Sequence, residues 1–233
     1  MKASYLLTLA LTVFALPCVA QQVEFMGRLI SAPEPLLQAE AAPEKPGLVK
    51  IYPDEDAKSF LQALERPVDV LSTPTVTTRL KQRATIQVTR EFKFLPNILG
   101  DKSLLKPDWK PNLAAKKVDL GFTLECEAMS VSGDQLDINC RPTMRTLLGF
   151  RERAVPSEAL KETYTLQTAA AGPAKPLLRT ADFQVLEADV TLNLRSGSLA
   201  LIYLGRDDQE DGNPRYLYVL LKSALAPKQI SSL

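Results

Sequence analysis

The chain has 233 residues, with 28 lysines and arginines against 27 acidic residues and no histidine. So even a balance gives no long-range field to steer nucleic acid or an anionic surface. The missing histidine removes the usual general base, the commonest zinc ligand and every histidine-dependent triad. An enzyme on this chain would have to work with carboxylates or lysines alone, and no cofactor motif is present.

Residues 1–20 read as a secretory signal. Lys2 precedes an apolar run from Tyr5 to Leu16, and Pro17-Cys18-Val19-Ala20 leads into the polar Gln21-Gln22. The run is too short for a membrane helix, which takes about 20 apolar residues. A lipoprotein signal acylated at Cys18 would want a small, flexible residue where Pro17 stands, so cleavage after Ala20 is the reading taken. The rest of the chain is long enough for a real core, and its 17 prolines suit strands and loops over long helices.

Residues 23–30 can form a strand, and 31–47, with Pro33, Pro35, Pro43 and Pro46, form a linker or irregular arm. Ala57, Phe60, Leu61 and Leu64 share a helical face over 54–66, behind an acidic first turn, and Pro67 ends the helix. From Ala84 the apolar period becomes two, through Ile86 and Val88 to Phe92 and Phe94. Phe122, Leu124, Cys126 and Ala128 alternate in the same way, as do Leu136, Ile138 and Cys140 after Ser132-Gly133-Asp134, which makes a β-hairpin.

With Ser132-Gly133-Asp134 as a three-residue loop, Cys126 falls opposite Cys140 and Ala128 opposite Ile138. The two thiols remaining after export are then placed for a disulfide; the alternative is a pair of buried free thiols. A pliable stretch at 168–176 precedes a strand with Leu186, Ala188, Val190, Leu192 and Leu194 on one face. Phe183 and Val185 are out of phase with it, which predicts a β-bulge. Leu199–Leu204 and Tyr216–Leu221 are apolar on both faces and belong between layers.

Three features are weighed for chemistry. The acidic turn 207–212 lacks the calcium-loop ligands, with Gln209 at the third position and Tyr218 at the twelfth. Glu125 and Glu127 share a strand face in the manner of a glycosidase pair, but alternating glutamates more often form the wet face of a sheet. Trp109 stands among Lys102, Lys106, Lys110, Lys116 and Lys117 in a proline-punctuated loop, read as surface, with an interfacial role as the alternative.

A family resemblance runs from about Leu64 to Ala226. Val70-Leu71-Ser72-Thr73-Pro74-Thr75-Val76-Thr77-Thr78, then Gln82-Arg83-Ala84-Thr85-Ile86-Gln87-Val88 and Glu91, resembles the opening of the secretin domain. Val118 to Glu125, with Gly121 and Leu124, resembles a later strand of that family. So do Arg179 to Val190, Arg195-Ser196-Gly197-Ser198-Leu199-Ala200-Leu201 and Arg215 to Leu221. The family's Val-Pro-x-Leu-Gly phrase before the closing strand is missing here.

The resemblance implies a mainly β (α+β) fold, a secretin-like antiparallel sheet or partial barrel behind one short amphipathic helix. Its boundaries are a signal at 1–20, an N-terminal strand and linker at 21–53, a β domain at 54–226 and a tail at 227–233. It further implies a non-enzymatic part in protein secretion or type IV pilus assembly, in the periplasm or outer membrane of a Gram-negative envelope. The implied partners are copies of itself in a ring, other secretion or pilus components and the outer membrane. Pore subunit and non-pore accessory both stay open. The rivals are an exported binding module for glycan or peptide and a carboxylate-based hydrolase.

Overall fold

The structure, a computed structural model, describes residues 21–37, 46–64, 68–161, 176–207 and 214–226. The export segment with Cys18, Pro67, most of the pliable stretch at 168–176 and residues 208–213 of the acidic turn lie outside these. The chain is a β-rich α+β fold of two antiparallel sheets that do not close into a barrel.

The first sheet joins β1 (Gln22–Ala32), β2 (Val49–Tyr52), β3 (Asp69–Ser72), β4 (Thr75–Arg79), β11 (Leu199–Asp207) and β12 (Arg215–Leu225). Its order is β2-β11-β12-β1-β3, with β4 also on β1. The double-sided apolar runs sit at its centre, as their composition requires. Ala200, Ile202, Leu204, Leu217, Val219 and Leu221 point into the core between the sheets, while Leu199, Leu201, Tyr203, Tyr218 and Leu220 point the other way. Each such side chain contributes about 1.5–3 kcal/mol when fully buried, so neither face can be left to water.

The helix α1 (Asp54–Leu64) covers the second face, burying Ala57 and Leu64 and packing Phe60 and Leu61 there. Asp54, Glu55 and Asp56 favour its N-terminal dipole. Phe60 stacks on Tyr52 at 4.2 Å between ring centroids. Residues 31 and 32, assigned to the arm by their neighbouring prolines, continue β1, because Ala32 has a core position on the helix side. Leu36 and Leu37 of the arm then pack on the same face, and the Leu36 N–H donates to the Tyr218 hydroxyl at 2.9 Å. Further on, residues 49–52 pair with β11 and cover its outer edge.

The second sheet holds β5 (Ala84–Phe94), β6 (Asn97–Leu99), β7 (Lys116–Ser132), β8 (Gln135–Ala154), β9 (Leu177–Glu187) and β10 (Val190–Arg195). Its order is β5-β7-β8-β9-β6, with β10 also on β8. Phe122, Leu124, Cys126, Ala128, Leu136, Ile138 and Cys140 face the first sheet. Gly27 permits the close approach, since a Cβ there would lie 2.4 Å from Leu124 Cδ2.

Two expectations need correction. The hairpin loop is not three residues but two, Gly133-Asp134, with Gly133 at φ +64 and Ser132 paired to Gln135. A bulge at Met129 restores the register, so Cys126 still faces Cys140 and Ala128 still faces Ile138. Nor is there a bulge in 183–190. Glu187 pairs Thr143 and Val190 pairs Cys140 without a shift, and Ala188 N–H donates to Pro142 O at 3.1 Å across the gap. Phe183 and Val185 belong to the opposite face, and the bulge lies on the partner strand at Leu148, between Leu147↔Phe183 and Gly149↔Asp182.

Candidate functional site

β7 and β8 part company at the pair Gly121↔Arg145. Before this point residues 116–120 of β7 pair only with β5, and past it residues 146–154 of β8 pair only with β9. The second sheet thus forks into a β5–β7 ribbon and a β8–β9 ribbon, the second edged by β6 along residues 177–179. Phe92 and Phe94 on one ribbon meet Phe183 on the other, with ring centroids 6.2 and 5.7 Å apart. Beyond them the connecting loops join: Lys106 N–H donates to Ala159 O at 2.9 Å and Lys161 N–H to Leu104 O at 3.1 Å. Trp109 sits in this loop, at 100–115, with Lys102, Lys106 and Lys110, while Lys116 and Lys117 open β7.

At the fork lies an open cavity of about 660 Å³. Its lining includes Val88 and Arg90 from β5, Leu120 and Gly121 from β7, and Met144, Arg145, Thr146 and Leu147 from β8. Periodicity missed this feature, because inward-facing residues of a ribbon carry the same alternation as those of a sheet. The one available signal was Arg90, a charge on the face that Ile86, Val88 and Phe92 make apolar.

The second feature is the set of sheet edges. Among the described residues β5 is the longest strand at an open edge, eleven residues with no charge from Ala84 to Thr89. Monomeric sheet proteins usually blunt such an edge with charge, proline or a bulge.

The family-motif residues are spread through the scaffold and do not converge. Ser72 ends β3, Pro74 O accepts from Gly27 N–H at 2.9 Å, and Val76 and Thr78 pair with Phe25 and Val23. Ala84, Ile86 and Glu91 lie along β5, the last beside Lys93 and Lys117. Gly121 stands at the fork, Leu124 in the core, and Gly197, at φ +92, in the turn from β10 to β11.

Cys126 and Cys140 face each other in the core with their sulfurs 3.6 Å apart, as free thiols. The hydrogen bond with Cys126, and then burial, push the Cys140 thiol well above its ordinary range. Glu125 and Glu127 lie on the opposite, outer face, where Arg83 reaches them at 3.5 and 3.8 Å. They belong to a ladder of surface polar pairs that includes Arg141–Glu187, Thr191–Asn139 and Asn193–Asp137. Asp137 is held below the usual carboxylate range by hydrogen bonds from Ser130 and Asn193. Among the described residues no helix is long and apolar enough to cross a membrane, which does not bear on strands.

No family model matches the chain, and no curated protein matches it. Solved structures do. The V. cholerae type IV competence pilus secretin PilQ aligns over 89% of this chain and 61% of its own, at 10% identity and a TM-score of 0.41. The InvG secretin domain β-barrel of the Salmonella SPI-1 injectisome aligns over 92% and 64%, at 8% and 0.34. Aeromonas hydrophila ExeD aligns over 89% and 49%, at 11% and 0.37. The chain therefore spans less than two thirds of each of these chains' lengths.

Proposed function

We propose that this protein is a non-enzymatic, secretin-like component of a Gram-negative cell envelope, exported by its first 20 residues and acting in a secretion or pilus assembly. The observation that carries the reading is the open edge of β5, whose uncharged half is free to pair with another chain. The ordered blocks of secretin-like sequence along β3 to β12 support it independently. Pairing between identical copies that is head-to-tail closes into a ring when the rotation allows. Within the reading, residues 54–226 with β1 form the assembling body, and Cys126 and Cys140 become a disulfide in the oxidising envelope.

The test is to extract the native protein in mild detergent and measure its size and its N-terminus together. A multimer that survives heating in detergent, with each chain beginning at Gln21, is the expected result. A species of one chain's mass would overturn the ring, and a chain retaining Met1, or lipid on Cys18, would overturn the export reading.

A further inference from the structure

The charge of the chain is even only in sum. Of its 28 lysines and arginines and 27 acidic residues, eleven and seven lie beyond the fork, in residues 90–120, 146–161 and 176–184, which leaves seventeen and twenty elsewhere. The fold thus sets a positive end against a slightly negative body. Where the ribbons stop, residues 95–115 and 155–161 form a cap over both, joined by the Leu105↔Leu160 bridge and the backbone hydrogen bonds of Lys106 and Lys161. Lys102, Lys106, Lys110 and Lys161 stand in this cap and Lys116 and Lys117 at its foot, against Asp101, Asp108 and Glu158. Lys117 is tied to Glu91, but Lys102, Lys106, Lys110 and Lys116 have no ion-pair partner among the described residues.

The same end exposes apolar surface. Leu95, between β5 and β6, is 66% exposed, the most of any large apolar side chain among the described residues, and it follows Phe94, which pairs with Lys116. Trp109, the chain's single tryptophan, lies half-buried in the cap, its backbone N–H donating to Lys106 O at 3.1 Å. Unpaired cations beside an exposed leucine and a tryptophan suit a boundary that offers anions outside and an apolar layer beneath. From this arrangement we infer that the cap docks on an anionic phospholipid surface, with Lys102, Lys106, Lys110 and Lys116 toward the lipid phosphates and Leu95 and Trp109 at the edge of the acyl layer. An acidic protein or a nucleic acid would match the lysines but offer Leu95 no apolar layer. The contact needs one chain only, so it stands whether or not copies assemble.

The fluorescence of Trp109 reports on the cap alone, since the chain has no other tryptophan. Native protein freed of detergent is titrated with phosphatidylcholine vesicles and with vesicles of phosphatidylcholine and phosphatidylglycerol in equal parts. With the mixed vesicles the emission shifts to the blue and the protein cosediments, and added salt reverses both by screening the lysines. Joint replacement Lys106→Gln and Lys110→Gln weakens this binding about twentyfold, and Leu95→Ala weakens it about tenfold. The control replaces Lys58, on α1, and Lys81, before β5, in the same way. It removes equal charge away from the cap and leaves binding within about twofold. Unchanged thermal melts show that each variant keeps its fold. No response to the mixed vesicles, equal binding to neutral ones, an equal loss in the control, or indifference to Leu95→Ala would each overturn the inference. So would tighter binding to polyglutamate or to single-stranded DNA than to the mixed vesicles.

Discussion

Replacing Gly121 with alanine is expected to cost about 2–3 kcal/mol of unfolding free energy, more than most single substitutions. Gly121 stands at φ +127, which side chains of L-residues rarely adopt, and at the point where the second sheet forks. A Cβ there would lie 2.3 Å from Val88 O and 3.0 Å from Thr89 Cα, both backbone atoms of the paired strand. No rotamer change can relieve that contact, so β5 must move away from β7. Gly133→Ala is the control: its φ is +64, but nothing lies within 4 Å of the added carbon. It carries the left-handed penalty alone, about 1 kcal/mol. Urea unfolding of both variants checks this, and equal losses would mean that the close approach at the fork does not matter.

The second large effect is on the thiol pair. Bridging Cys126 to Cys140 should stabilise the fold by about 3 kcal/mol, less any strain, for a loop of this length. Directly opposed strand residues have Cα atoms about 4.5–5.5 Å apart, within the range a disulfide spans. Oxidation removes two protons and two electrons from the thiols and passes them to a disulfide oxidant such as oxidised glutathione, which leaves as two thiols. Both cysteines are 1% exposed and lie between the sheets, so an oxidant reaches them only before the sheets close. Refolding with oxidised glutathione therefore yields the bridged form, whereas the folded reduced protein resists the same reagent for as long as it stays folded.

Alkaline pH separates the two forms further. The Cys140 thiol is raised in the folded state. The reduced protein therefore keeps its full stability below the ordinary thiol pKa of about 8.5, and loses it as pH rises from there toward the folded value. The bridged protein has no thiol to ionise and shows no such loss. Urea midpoints at neutral and alkaline pH, with and without a dithiol reductant, measure both effects. Rapid oxidation of the folded protein, or parallel pH profiles, would contradict this account.

The local pattern of the chain was legible wherever burial follows one simple period. The alternation of Phe122, Leu124, Cys126 and Ala128 against Leu136, Ile138 and Cys140 identified both strands, their shared face and the cysteine register. The double-sided runs at Leu199 and Tyr216 announced strands covered on both faces, and the helix at 54 is where its apolar face and acidic first turn put it. The register that sets Cys126 opposite Cys140 came out right although its loop was misjudged, because the Met129 bulge offsets the shorter turn. An error in one local feature was hidden by another that leaves no mark in composition.

What the sequence determined by itself is thus the kind of each element, the face it buries and the want of histidine chemistry, since these depend on residue type and spacing alone. Only the tertiary structure decided that residues 22–32 form an inner strand between β12 and the β3–β4 segment, far from them in sequence. It also decided that Phe183 leaves the face of Leu186 to meet Phe92 and Phe94, and that Arg90 and Arg145 share one cavity. The last two arise from where β7 and β8 stop pairing. That point is set by the backbone at Gly121 and by competition among distant strands, neither of which a period of two can register.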